Sequence, residues 1–229
     1  MTYDLVKETE TFTRDILDYF LYNKYIYLAT IKTFLYQSGN EKLNKELFDD
    51  YTVRQLIDSD VTATFNGDPA ADSEQTIRMC YPGVRALAVH RVAHLFYNNG
   101  AKQIARIMSE MIHRETGIDI NPGAKIGKNC MIDHGTGIVI GETTIIGDSV
   151  KIYQGTLGAK SVTNREQTKR HPTIGNNVII YANATILGGE TVIGDNTVIG
   201  GNAFVTKSID ANSVVRMDGN IFENKEKSR

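Results

Sequence analysis

Two cysteines, Cys80 and Cys130, in 229 residues leave no disulfide framework and no CxxC pair. Charge of one sign is equally scarce. Lys and Arg number 25 against 27 Asp and Glu, for a net charge of −2 and a pI near 6.2, which removes the electrostatic case for nucleic acid or an anionic membrane as partner. A long uninterrupted apolar run is also lacking: the longest apolar stretch, residues 20–36, carries Lys24 and Lys32 inside it. The start has no basic-then-apolar leader pattern, so a cytoplasmic protein is expected. What remains, 41% hydrophobic and 23% charged residues, is an ordinary globular composition. At roughly 150 residues per domain the length fits one to two domains, with core enough to stand without a structural metal.

The composition is divided along the chain. Of nineteen Phe and Tyr, fifteen fall in residues 1–116, whereas sixteen of twenty Gly and seventeen Ile fall in residues 117–229. In the first part apolar residues recur at three and four, as in Ile16, Tyr19, Phe20 and Leu28, Ile31, Leu35, the helical period. Pro82 suits a first helical turn, residues 84–98 keep the period, Gly100 suits a C′ position, and a helix from Ala101 stops at Gly117. Residues 1–116 therefore read as an N-terminal helical domain. Arg85, Arg91, Lys102 and Arg106 lie on these helices and read as a solvated face.

From Ile118 the period becomes six. One register runs Ile120, Ile126, Ile132, Ile138, Thr144, Val150, Thr156 and resumes at Ile174, Ile180, Ile186, Ile193, Ile199. Neither a helix nor an isolated strand has that period; a short strand plus a turn, stacked rung on rung, does. Small residues at Cys130, Thr136, Thr144, Ala184, Thr197 and Ala203 suit tight inward corners, and Asn129, Asn176, Asn177, Asn183 and Asn196 tolerate the positive φ of a sharp corner. The fold class expected is α+β: an N-terminal all-helical domain followed by a parallel β-helix of hexapeptide repeats over residues 117–215. A polar break at residues 158–170 reads as an extruded loop. Residues 213–229 leave the repeat, and 216–229 read as a solvated tail.

The histidines divide. His90 and His94 share a helical face as in HExxH, but Arg91 stands where Glu is needed, so no metal site is expected there; His113 reads as a surface residue. His134, in IDHGTG beside Asp133, and His171, in KRHPTIG beside Arg170, lie in the repeat. An imidazole oriented by a carboxylate acts as a general base toward a hydroxyl or amine. Asp119 is the obvious orienting group, fifteen residues before His134 and so close to one coil away.

The run GIDINPGAKIGKNCMIDHGTGIVIGETTIIGDSVKIYQGTLGA, followed by KRHPTIGNNVIIYANATILGGETVIG, closely resembles the serine O-acetyltransferases of the hexapeptide-repeat acyltransferases, and DPAAD with YPGVRALAVHRVAHLFYNNG resembles the end of that family's helical domain. The resemblance covers about residues 68–215 and implies a left-handed coil. It implies transfer of acetyl from acetyl-CoA to L-serine, giving O-acetylserine and CoA at the start of cysteine biosynthesis, with L-cysteine as feedback inhibitor. His134 is implied as general base with Asp119 as its partner, Asp68 and Asp133 as acids around the substrate amino group, and Arg170 and His171 as contacts to the substrate carboxylate and hydroxyl. Gly158, Ala159, Ala182, Gly200 and Gly201 are implied contacts to acetyl-CoA, backbone amides near Gly158 or Ala182 are candidate oxyanion donors, and the cleft would lie between chains of a homotrimer, with pairing of two trimers left open.

Three departures from the family pattern stand out. Residues 154–159 read QGTLGA, one residue shorter than QGVTLGG; Asn121 replaces a frequent His; and no GVPA-like segment or C-terminal Ile follows, so docking to the next enzyme through the tail is not expected. Other readings are a hexapeptide acetyltransferase for a sugar or antibiotic acceptor, a metal hydrase using His134 and His171, and a purely structural solenoid. The hydrase lacks a third histidine in residues 117–229, and a structural solenoid leaves the charged cluster unexplained.

Overall fold

The computed structural model describes residues 3–49, 52–160, 169–218 and 220–223. Six α-helices come first: α1 (Tyr3–Tyr22), α2 (Leu28–Gln37), α3 (Thr52–Gly67), α4 (Glu74–Cys80), α5 (Pro82–Asn98) and α6 (Lys102–Thr116). Aromatic side chains fill the space between them. Phe12 of α1 stacks on Phe34 of α2 with ring centroids 4.3 Å apart and meets Phe96 of α5 edge-on at 5.5 Å. Each such side chain removed from water contributes roughly 1.5–3 kcal/mol. Helix α5 is buried on most sides, from Gly83 through Ala93, which makes it the axle of this region. Its ends follow the punctuation in the sequence: Pro82 opens it, Gly100 follows with φ +87°, and Gly117 ends α6 in the left-handed region at φ 71°.

The remainder is a coil of very short parallel strands. The first turn holds β1 (Asp119–Ile120), β2 (Lys125–Ile126) and β3 (Met131–Ile132); the second β4 (Val139–Ile140), β5 (Ile145–Ile146) and β6 (Lys151–Ile152). The third holds β7 (Gly155–Gly158), β8 (Thr173–Ile174) and β9 (Ile179–Ile180), the fourth β10 (Ala184–Leu187), β11 (Val192–Ile193) and β12 (Val198–Ile199). Then come β13 (Phe204–Val205), β14 (Ser213–Val215) and β15 (Ile221–Glu223). Pairing runs between turns: β1-β4-β7-β10-β13 form one face, β2-β5-β8-β11 a second, and β3-β6-β9-β12-β14 a third. All of these pairs are parallel; only β15 is antiparallel, on β14.

Most rungs bury two residues, an aliphatic on the strand and a second, usually smaller, residue two places before it. Ile132, Ile140, Ile146, Ile152, Ile180, Ile186 and Ile199 are strand residues of the first kind, and Cys130, Ile138, Thr144, Val150, Val178, Ala184 and Thr197 are their corner partners. The sequence register crosses from one set to the other. Ile120, Ile126 and Ile132 are strand positions, whereas Ile138, Thr144 and Val150 are corner positions, because eight residues rather than six separate Ile132 from Ile140. The extra two form the corner around His134. Thr156 is only half-buried, and Thr136, read as an inward corner, is exposed in that enlarged corner. Of the corner asparagines, Asn129, Asn177, Asn183 and Asn196 have φ between 55° and 60°; Asn176 does not, and its Oδ1 accepts the Asp148 amide instead.

Two further expectations change. Ser213–Val215 stays in the third face, and Ile221–Glu223 folds back on it; within the break at 158–170, residues 161–168 lie outside the described residues, as do 224–229 of the tail. The solvated face expected of Arg85, Arg91, Lys102 and Arg106 fails at Arg91. Arg91 is 5% exposed, forks onto Asp60 at 3.1 Å through both Nε and Nη2, and donates to the Ile126 and Gly127 carbonyls of β2 and the turn after it. Asp60 in turn accepts the Cys130 amide at 2.9 Å. Its partner lies thirty-one residues away in sequence, which is why a local reading put Arg91 at the surface. Arg85 bonds Tyr22 and Glu115, Arg106 pairs with Glu110, and Lys102 lies over the Tyr97 ring.

Candidate active site

The corner between the third and first faces gathers three positive-φ residues. His134, Gly135 and Gly137 all have positive φ, 58°, 83° and 82°, and for a residue that is neither Gly nor Asn the left-handed region costs energy and marks a constrained site. The bend lifts the His134 side chain into solvent, 74% exposed, with Nδ1 3.7 Å from Asp133 Oδ1. Helix α5 brings the other side of the site. Gly83 touches Ile132 so closely that a Cβ there would come within 2.0 Å of the Ile132 carbonyl oxygen, and only glycine permits that approach. Tyr81, two residues earlier, thereby stands next to the corner.

The Tyr81 hydroxyl donates to Asp68 Oδ2 at 2.6 Å, and the Ala70 amide donates to Asp68 Oδ1 at 2.9 Å. These bonds and the nearby His134 hold the Asp68 carboxyl below its ordinary range, since each favours the anion. The same bond, with burial and the charges of Asp68, Asp133 and Asp72, pushes the Tyr81 hydroxyl up to about 12. Tyr153, one turn above, stacks on Tyr181 with centroids 5.2 Å apart and planes 3° from parallel. Burial and then Tyr181, Asp133 and Asp68 raise its hydroxyl too. Two acids, Asp68 and Asp133, therefore flank one exposed imidazole.

The corner between the first and second faces has the opposite character. The His171 ring lies over Gly141, where a Cβ would fall 2.0 Å from its Cδ2. Its Nδ1 accepts from the Thr143 amide at 3.1 Å and lies 2.9 Å from the Thr143 hydroxyl oxygen, which accepts the Arg170 and His171 amides. Lys169 Nζ donates to the Thr143, His171 and Pro172 carbonyls. Burial, then Arg170 and Lys169, lowers the His171 basicity, so the ring is neutral near pH 7.

The sequence-derived residues thus fall at two edges of one chain. Asp68, Asp133 and His134 come together, and Ala182, Gly200 and Gly201 belong to the same edge further along the coil: the Ala182 carbonyl accepts the Asn202 amide, and a Cβ on Gly201 would lie 3.2 Å from the Ala182 oxygen. Arg170 and His171 share the other edge with Gly158 and Ala159, where the Gly158 carbonyl accepts the Gly188 amide at 3.0 Å. Asp119 joins neither. It makes no hydrogen bond or ion pair with His134 among the described residues and lies 3.8 Å from Arg106 Nη1. Glu110, His113 and Asp119 bring their ligand atoms within 4.8 Å of one another, but Arg106 already pairs with both carboxylates of that cluster, Glu110 and Asp119. His90 and His94 pack 5.6 Å apart against the first coil turn, His94 bonding the Pro122 carbonyl, and burial lowers both. Tyr81, Tyr153 and Thr143 were not singled out from the sequence; the Tyr-Pro pair and the spacing of Tyr153 one turn above Asp133 were the available signals.

A repeating three-faced coil with an exposed, carboxylate-flanked histidine at an enlarged corner defines the class to which comparison with known proteins adds a family. No family model matches the chain. The plasmid serine acetyltransferase of Synechococcus elongatus is 54% identical over 142 residues, covering 58% of this chain and 44% of that protein. A second serine acetyltransferase of that organism is 44% identical over 133 residues, 58% of this chain and 53% of the relative. The chain therefore spans about half the length of these curated relatives. Among solved structures, serine acetyltransferase isoform 3 of Entamoeba histolytica in complex with cysteine matches with a TM-score of 0.77 at 36% identity, covering 89% of this chain and 80% of that one. Soybean serine acetyltransferase complexed with serine matches at 0.71 and 33%, covering 87% and 79%. The chain belongs to the serine acetyltransferase family. Among the described residues no helix is long and apolar enough to cross a membrane.

Proposed function

We propose that the chain transfers the acetyl group of acetyl-CoA to the hydroxyl of L-serine, releasing CoA and forming O-acetylserine for cysteine biosynthesis in the cytoplasm, with L-cysteine as inhibitor at the serine site. The carrying observation is the exposed His134 held in a left-handed backbone beside Asp68 and Asp133. A serine hydroxyl is a poor nucleophile at neutral pH. His134 would remove its proton as the oxygen attacks the thioester carbonyl, worth roughly 10²–10⁴ in rate. The tetrahedral intermediate then collapses, the carbon–sulfur bond breaks, and the imidazolium returns the proton to the departing CoA sulfur. Asp119 is the proposed carboxylate for the imidazolium; hydrogen bonds of this kind often tighten only in the loaded site.

A zwitterion needs an anionic and a cationic wall. Asp68 and Asp133 would take the ammonium group, and Arg170 with His171 the carboxylate and hydroxyl. In one chain those walls stand on different edges, which supports a homotrimer whose neighbours complete each cleft; its coils are proposed to be left-handed. Gly158, Ala159, Ala182, Gly200 and Gly201, being small, would let acetyl-CoA lie against the backbone. The acid wall favours an amino-acid acceptor over a sugar. The test is a panel of acceptors offered with acetyl-CoA while free thiol is measured: serine-dependent release is expected, suppressed by cysteine, and release with a sugar but not with serine would overturn the reading.

A further inference from the structure

We infer that Tyr81 is a positioning residue: it holds the Asp68 carboxylate in the orientation that meets the ammonium group of the acceptor, an inference resting on the serine reading above. Asp68 alone, on the segment after α3, has no reason to keep one rotamer. Its oxygens are claimed separately, Oδ2 by the Tyr81 hydroxyl at 2.6 Å and Oδ1 by the Ala70 amide at 2.9 Å, so the carboxylate cannot turn without losing a bond. Each oxygen keeps a lone pair for a further donor.

Tyr81 is itself fixed. It closes α4 and opens α5 with φ −81° and ψ 118°, the extended conformation that Pro82 imposes on the residue before it. Its carbonyl accepts the Arg85 amide at 3.3 Å. Two residues on, Gly83 seats α5 on Ile132 at the end of β3, immediately before Asp133 and His134. The helical region thus sets where Asp68 points relative to the coil corner, with one phenol as the connecting piece. The hydroxyl, raised to about 12, remains a donor throughout the working pH range.

The test is Tyr81→Phe in the full chain, which keeps the ring and removes only the donor. Loss of one hydrogen bond to a charged group should raise the serine KM about tenfold, with a smaller fall in kcat and the acetyl-CoA KM unchanged. Asp68→Asn should abolish the difference, so that the double variant matches Asp68→Asn alone. A second readout needs no substrate: the carbon-13 carboxyl signal of Asp68, identified by its loss in Asp68→Asn, should titrate at higher pH in Tyr81→Phe. Asp72, Asp133, His134 and Tyr153 also face this group and are unchanged between the two proteins. An unmoved Asp68 titration overturns the positioning role whatever the kinetics. A moved titration with a serine KM within twofold of the parent overturns its link to the acceptor. If the parent protein releases no thiol with serine, the serine reading fails, and the titration alone decides whether Tyr81 sets the state of Asp68.

Discussion

The two histidine edges of the coil are built in opposite ways. At His134 the chain inserts two residues, adopts positive φ, exposes the ring and flanks it with carboxylates. At His171 it packs the ring on a glycine, bonds Nδ1 to Thr143 and surrounds it with Arg170 and Lys169. The first arrangement suits a group that must gain and lose a proton. The second suits a fixed, neutral contact. One edge would attract a cation and the other an anion, and neither alone is complementary to an amino acid.

The largest effect expected is from His134→Ala, which should lower serine-dependent thiol release by roughly 10²–10⁴ without changing the oligomer seen by light scattering. The equivalent change at His171 should chiefly raise the serine KM; equal losses of kcat at both edges would erase the contrast. Next is Asp60→Ala, which leaves the Arg91 charge buried and unpaired and should cost about 3–5 kcal/mol in a denaturant melt, whereas Arg85→Ala, which removes a half-buried guanidinium bonded to Tyr22 and Glu115 on the same helix, should cost less, about 1 kcal/mol. Smallest in absolute signal, but sharpest for the comparison, is complementation. If each cleft takes His134 from one chain and His171 from its neighbour, co-assembled His134→Ala and His171→Ala chains should recover about a quarter of the sites by random mixing. No recovery in verified mixed trimers would place both edges in one chain's own site.

Much of this was legible in the residues. Period six announced the coil, Pro82, Gly100 and Gly117 marked helix ends, and IDHGTG with KRHPTIG pointed to the two edges. What escaped was what depends on pairing across the chain. Arg91 looks like a surface charge until Asp60 is placed beside it, and the register past Ile132 looks continuous because Ile138, Thr144 and Val150 are also buried. Tyr81 carries no period at all, and its meaning comes only from Asp68 thirteen residues away. For Asp119 the spacing to His134 was clear, yet the carboxylate sits beside Arg106, since α6 packs against β1 and sequence distance says nothing of that competitor.

A stack of strands has two raw ends, each offering unpaired backbone groups to any passing strand. Here the lower end is closed by side chains standing in for a missing turn: Arg91 on the Ile126 and Gly127 carbonyls, Asp60 on the Cys130 amide, Ser59 on the Asn129 amide and His94 on the Pro122 carbonyl. On the third face the upper end is closed by β15 running backwards against β14. The helices that look like an appendage to the coil therefore also cover one of its raw ends.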